Sequence, residues 1–204
     1  MINRKSVLVL SVGLLLAACS IGKPVPQATT YVVEAPPPAA RLSSAFGTEV
    51  ARMGNVRIAA AFSGNSLVYR RNDVTFQSDP YEAFIAEPSG MLGNQIAAWL
   101  DRAGPFKAVV QPGSGQTTRY VLEATVTELY GDFRPNQPAA AVMAIQFALV
   151  DSTAVRTTTL LERTISRRAP LERASPDALV RGYGNALSGI LTELVGDLAS
   201  ARPR

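Results

Sequence analysis

Three stretches in the second half of the chain alternate apolar and polar residues with a period of two, and this pattern most restricts the fold. From Tyr120 to Leu129, Tyr120, Leu122, Ala124 and Val126 share one side, and Glu123, Thr125 and Thr127 the other. From Ala141 to Val150, Met143, Ile145, Phe147 and Leu149 share a side. Arg156 to Arg168 is rich in Thr and Arg and turns Leu161 and Ile165 inward. A period of two belongs to extended strands with one covered face. The strands follow one another through short or moderate loops, so an antiparallel meander is the economical topology.

Two segments have the helical spacing needed to cover such a sheet. Between Ser89 and Ala103, the residues Leu92, Ile96, Trp99, Leu100 and Ala103 make one apolar stripe. Gly104-Pro105 then stops the helix, glycine at the cap and proline just beyond. Trp99 lies on the stripe and reads as core. Ser175-Pro176-Asp177 is a helix start, with a capping serine, proline at the first helical position and an acid in the first turn. That helix runs to about Ala199, with Leu179, Tyr183, Ala186, Leu187, Ile190, Leu191, Leu194 and Leu198 on its apolar face. Gly182, Gly184, Gly189 and Gly196 each weaken it by roughly 1 kcal/mol against alanine. Either packing onto the sheet holds them, or they permit close backbone approach. The polar side has too few Lys and Arg for a membrane-surface helix.

Shorter elements precede these. Thr30 to Glu34 reads as a first strand, stopped by Pro36-Pro37-Pro38, a stiff loop that cannot donate to a ladder. Val56 to Ala59 reads as a second strand, and Phe62 to Ser66 as a turn. Leu67 to Arg70 and Val74 to Gln77 flank Arg71-Asn72-Asp73 as a hairpin. Asp79-Pro80-Tyr81 is expected to open a loop or short helical turn, and Phe106 to Val110 to form a strand. The whole is an α/β fold: a mixed β-sheet packed with two principal helices.

Composition removes most chemistry. The chain contains no histidine and one cysteine, Cys19. Ser-His-Asp and Cys-His catalysis cannot be assembled, and metal sites built on histidine or free thiols are excluded. A Ser-Lys dyad would have to use Lys107, whose neighbours suggest a solvent-facing residue. No phosphate loop is present. No pair of the 16 acids is singled out for carboxylate chemistry. The reading is therefore not an enzyme, with no catalytic residue, no metal ligand and no cofactor. A carboxylate-dependent hydrolase would need two acids sharing a cleft.

Arg4 and Lys5 precede an apolar run from Val7 to Ala18, which is 12 residues long and so below the roughly 20 that span a bilayer. It ends in Leu16-Ala17-Ala18-Cys19. A basic start, a short apolar region and small residues at a cleavage site describe a signal peptide. The cysteine at its end makes the segment resemble a bacterial lipoprotein signal. The resemblance implies cleavage before Cys19, a thioether-linked lipid on its sulfur and an acyl chain on the new amino terminus. Residues 1–18 are then signal, 19–29 lipidated cysteine and tether, and 30–204 the folded domain. Removing the signal leaves 18 Lys+Arg against 16 Asp+Glu, which is no nucleic-acid footprint. With Cys19 acylated no disulfide is available, although the compartment would allow one.

Residues in order along the domain carry a second resemblance. Val56 to Ala59, Ser63-Gly64-Asn65-Ser66-Leu67-Val68-Tyr69-Arg70, Asp79-Pro80-Tyr81, the Trp99-Leu100 helix ending at Gly104 before Phe106, Tyr120-Val121-Leu122-Glu123 and Glu128-Leu129-Tyr130-Gly131-Asp132-Phe133 are similar to the ABC-type transport auxiliary lipoprotein family, the PqiC-like proteins. The resemblance covers about residues 30–200. It implies a fold similar to the N-terminal domain of TolB. It also implies an outer-membrane-anchored, periplasm-facing lipoprotein serving an ABC transporter with an MCE-domain protein, moving lipids or other hydrophobic molecules between membranes. A ring or other homo-oligomer fits such a partner by analogy. Ser20, where aspartate would resemble the inner-membrane retention signal, agrees with the outer membrane. The competing reading is an envelope-assembly lipoprotein that partners an outer-membrane barrel or lipopolysaccharide export. Tyr69, Tyr81, Tyr130 and Phe133 fall at strand ends or in loops. Aromatic rings there either form a partner surface or pack under their own loops.

Overall fold

The computed structural model describes residues 27–153 and 158–201; Cys19 and the start of the tether lie outside them. The strands are β1 (Thr29–Tyr31), β2 (Val50–Met53), β3 (Arg57–Ile58), β4 (Ser66–Arg70), β5 (Phe76–Phe84), β6 (Ala108–Val110), β7 (Tyr120–Asp132), β8 (Ala140–Asp151) and β9 (Thr158–Pro170). All nine belong to one sheet. The helices are α1 (Pro88–Ala103) and α2 (Pro176–Ser200).

β7 is the axis of the sheet. One of its edges carries β8, which in turn carries β9, both antiparallel. This is the meander expected from the alternation. The other edge is shared by three short parallel strands in chain order. β2 lies beside Tyr120 to Leu122, β3 beside Thr125 and Val126, and β4 beside Gly131 and Asp132. β6 extends the sheet beyond β2, and β5 then β1 extend it beyond β4.

β2 was not anticipated from sequence. Val50-Ala51-Arg52-Met53 has no run of β-branched or aromatic residues. It is extended because β6 and β7 offer ladders on both sides, an instance of strand preference set by context. Phe106 is buried but precedes β6, and Lys107 is exposed.

Asp79-Pro80-Tyr81 also corrects the expectation. It does not end the strand: β5 continues through it to Phe84. Its register against β4 jumps, with Val68 opposite Ser78 and Ser66 opposite Ala83. Asp79 Oδ1 accepts from the backbone N–H of Tyr81 at 2.9 Å and of Glu82 at 3.1 Å. The turn chemistry is real, but it builds a bulge inside the strand, where Pro80 breaks no regular ladder.

Both helices cover the same face. α1 lies over β2, β3 and β6, α2 lies over β8 and β9, and the two helices touch. Leu122, Ala124 and Val126 of β7 and Met143, Ile145, Phe147 and Leu149 of β8 share one buried cluster with Leu92, Ile96, Trp99, Leu187, Ile190 and Leu194. The Trp99 indole N–H donates to Pro36 O at 2.7 Å, and Ser188 Oγ donates to the same oxygen at 3.1 Å. The proline segment is thus clamped to both helices. α1 ends as read from sequence, with Gly104 at φ 78° and its N–H returned to Leu100 O. At the start of α2 Ser175 Oγ accepts from Ala178 N.

Gly184 explains part of the glycine content of α2. A Cβ there would stand 2.1 Å from Glu34 O, against the chain leaving β1. Gly182 is crowded similarly by Leu171 and Ala141. Gly196 faces open space. No helix among the described residues is long and apolar enough to cross a membrane.

Candidate functional site

A bulge decides which residues reach the hairpin end of the bare face. Thr127 is the extra residue between the pairs Val126–Ile145 and Glu128–Ala144. Up to Val126, even-numbered residues of β7 face the helices. Beyond Thr127 the parity reverses: Leu129 joins the main core, while Tyr130 packs with Val68 and Val142 in a second, small cluster. Tyr130 and Asp132 are thereby delivered to the face opposite the two α-helices.

At that end β4 and β5 form a hairpin whose turn is longer than expected: Val74 and Thr75 lie in the turn, and the second strand starts at Phe76. Asn72 Oδ1 accepts from Val74 N at 3.0 Å and Thr75 N at 2.8 Å, and Arg71 N donates to Thr75 O at 2.9 Å. Alternation along β4 puts an aromatic group under an arginine on each side. On the helix side Tyr69 stacks on Phe133, with centroids 5.1 Å apart and planes 13° apart. The Arg71 guanidinium lies 5.0 Å from the Tyr69 centroid. On the bare side Tyr130 stacks on Phe62 at 5.8 Å and meets Phe76 edge-on at 5.2 Å. Arg70 lies 5.7 Å from the Phe76 centroid. Such contacts of arginine with rings keep the guanidinium at the surface while its stem and the rings pack.

Carboxylates fix the frame. Asp132 is 1% exposed and accepts from Arg134 through both oxygens, at 2.9 and 2.8 Å, and from Arg168. Hydrogen bonds from Arg134, then from Arg168, hold its carboxyl well below the usual carboxylate range, outweighing burial. Arg134 also binds Asp73 at the hairpin tip, 2.8 Å away. The Tyr69 hydroxyl donates to Asp79 at 2.9 Å; burial first and that bond second push its ionisation up. The Tyr31 hydroxyl, on Glu82 at 2.6 Å, is pushed up to about 12, burial again leading.

The four aromatic residues singled out from sequence therefore lie at one end of the sheet but do different things. Tyr69 is 3% exposed and Tyr130 5%. Their area is taken up by Phe133 and by Phe62 and Phe76, so they support the surface and do not present it. Phe133 is half-buried, and Tyr81 is exposed on the bulge of β5. Phe62 and Phe76 were not singled out; a three-residue loop Arg71 to Asp73 would put Val74 opposite Arg70, whereas the structure puts Phe76 there. Recesses elsewhere are open. One of about 480 Å³ is lined by Arg52, Asn55, Gln116 and Thr118. The lipidation residue, Cys19, lies outside the described residues.

Comparison with known proteins now supplies the family. The profile described as ABC-type transport auxiliary lipoprotein component matches residues 31–195. The chain belongs to that family. Its description is of a transport auxiliary lipoprotein and not of an enzyme. Among solved structures, protein XCC0632 from Xanthomonas campestris, a DUF330 protein, is similar with a TM-score of 0.68 at 19% identity, covering 84% of this chain and 95% of that one. A second, uncharacterized protein gives 0.56 at 16% identity, covering 79% and 97%. These likenesses establish the fold. No curated protein gives a significant match.

Proposed function

We propose that the protein is a lipid-anchored, periplasm-facing component of the outer membrane that serves an MCE-type ABC transport system for lipids or other hydrophobic molecules. The observation that carries this reading is the family match across residues 31–195. Three features support it. The chain has the lipoprotein-type signal ending at Cys19 and no histidine. The apolar stripes of both helices are consumed in one packed core, which favours a docking element over a lipid-filled cavity. Ser20 follows the anchoring cysteine. The domain positions or receives a partner and performs no chemistry of its own. A single membrane anchor with several acyl chains gives stable attachment, so the domain remains at its leaflet and the partner has to come to it.

The test is affinity purification of the lipidated protein from membranes, with mass spectrometry of co-purifying proteins and lipids. An MCE-domain protein in the eluate and outer-membrane fractionation are expected. An outer-membrane barrel in its place would overturn the reading in favour of envelope assembly. The native mass of the purified protein reads whether it self-associates.

A further inference from the structure

The hairpin end of the sheet is also the end at which the chain arrives from its anchor. β1 is parallel to β5, with Thr29 opposite Glu82. β5 runs away from the hairpin tip, so the chain enters β1 from the tip side. Along β4 the pairs Ser66–Ala83 and Arg70–Phe76 put Thr29 roughly 13 Å short of the level of Phe76, at about 3.3 Å per residue. Cys19 precedes Thr29 by ten residues, which extend at most about 33–36 Å. A tether that keeps the direction from which the chain enters β1 therefore lets Cys19 reach the level of Phe76 and at most about 23 Å beyond it.

What the structure holds at that level suits a bilayer surface. Val74 is 89% exposed at the tip and Phe76 45%, an apolar and an aromatic side chain on a hairpin held rigid by Asn72. Arg70 and Arg71 flank them, each with its guanidinium over a ring. The carboxylate at the tip, Asp73, is bound by Arg134 and lies 4.0 Å from Arg70, whose guanidinium also donates to Asn72 O and Asp73 O; Arg71 is the more exposed cation, and the tip is net positive. Short apolar and aromatic groups enter the headgroup boundary while cations meet its phosphates. We propose that the β4–β5 hairpin seats on the leaflet that holds the Cys19 lipid, with Val74 and Phe76 in the interface and Arg71 on anionic headgroups. The domain then stands upright on its tip, and the far end, around Thr117 and Ser152, faces away from the membrane. This inference rests on the reading that Cys19 is lipidated.

Lipidation occupies the only native thiol, so Val74→Cys gives the full-length lipidated protein a single labelling site. Thr117→Cys, exposed at the far end, gives the matching control. Each is labelled with an environment-sensitive fluorophore and reconstituted into vesicles of phosphatidylethanolamine and phosphatidylglycerol. The label at position 74 should shift to the blue and brighten about twofold, as expected for entry into the headgroup boundary, and the label at position 117 should not change. The response at 74 should weaken in vesicles of phosphatidylcholine alone; an equal response there would overturn the role given to Arg71. A label at 74 that stays aqueous, or one that responds no more than 117, overturns the seating. Intact mass separates the two failures: without lipid on Cys19 the anchoring itself is wrong, and with lipid present only the seating is.

Discussion

The two faces of the sheet are stabilised by different means. The helix-covered face is continuous apolar packing, from Leu122 and Ile145 to Trp99 and Leu191. Among the described residues the other face carries no α-helix, only the 3-10 turn Ala60–Phe62 at its hairpin end. Its middle is polar, with Arg57 3.8 Å from Glu123 and Gln146 donating to Glu162 at 3.0 Å. At the hairpin end it becomes ordered and partly apolar, through the Tyr130 cluster and the Asp132 ion network; at the other end the pair Val121 and Val150 is buried. The face is polar in its middle and structured at the end from which the chain enters β1. If this contrast is right, substitutions should lose effect in a definite order from the covered face to the middle of the bare one.

The largest loss should come from Gly184→Ala. Its Cβ would meet Glu34 O at 2.1 Å, and backbone cannot swing aside as a side-chain tip can. Overpacking of this kind costs about 3 kcal/mol, a fall in Tm of roughly 6–12 °C for a chain this size. A Tm within about 2 °C of wild type would show that the crossing of α2 over the β1 exit is looser than the structure has it.

Asp132→Asn comes next and tests the structured end of the bare face. It keeps the shape of a buried carboxylate while removing the charge that binds Arg134 and Arg168. Both arginines reach solvent and can rehydrate in part, so the expected loss is about 2 kcal/mol. The pH dependence gives the sign. The folded-state carboxyl is held below its ordinary value. Its contribution is therefore complete above the unfolded value near pH 4 and is lost as pH falls below that toward the folded value. Urea midpoints should fall between about pH 5 and 3 in the wild type, and fall less in Asp132→Asn. Parallel curves would remove Asp132 from the account.

How much of this was legible from residues follows from where periodicity holds. The alternation of β7 and β8 predicts the meander and the inward residues up to Val126 correctly. One inserted residue, Thr127, then reverses the parity. No pattern in the sequence announces it, because the bulge is set by the ladder with β8. Continuing the alternation would have turned Tyr130 toward the helices. The same holds for Asp79-Pro80-Tyr81, whose turn chemistry was visible but whose place inside a strand depends on pairing with β4 and β1. β2 was invisible because its neighbours make it extended. The stripes of α1 and α2, being local, were read nearly to the residue. The four marked aromatics do share an end, yet sequence position alone could not say that Tyr69 and Tyr130 support the surface while Phe76 and Val74 form it.

Gly196→Ala should act in the opposite direction and by less. This glycine is on the exposed side of α2 with nothing within reach of a Cβ. It brings only the backbone cost of glycine in a helix, so alanine should add about 1 kcal/mol. Chemical denaturation of Gly184→Ala and Gly196→Ala side by side divides the glycines of one helix into those that packing requires and those it does not. A loss at Gly196 would mean that something covers the outer surface of α2.

The smallest effect should be Gln146→Ala, in the middle of the bare face. Its amide donates to Glu162 in the open, where water replaces the bond, so the change should stay within about 0.5 kcal/mol. The same variant also has a use at the membrane. A bare, polar, solvated mid-sheet surface has no part in seating a domain on its hairpin tip. Gln146→Ala should therefore leave the response of a label at position 74 as it is in the wild type, while charge reversal at Arg71 should diminish it. A mid-face change that moved the tip label as much as the arginine would show that the domain lies flat on its open face. The division between a structured end and an idle middle would then be wrong.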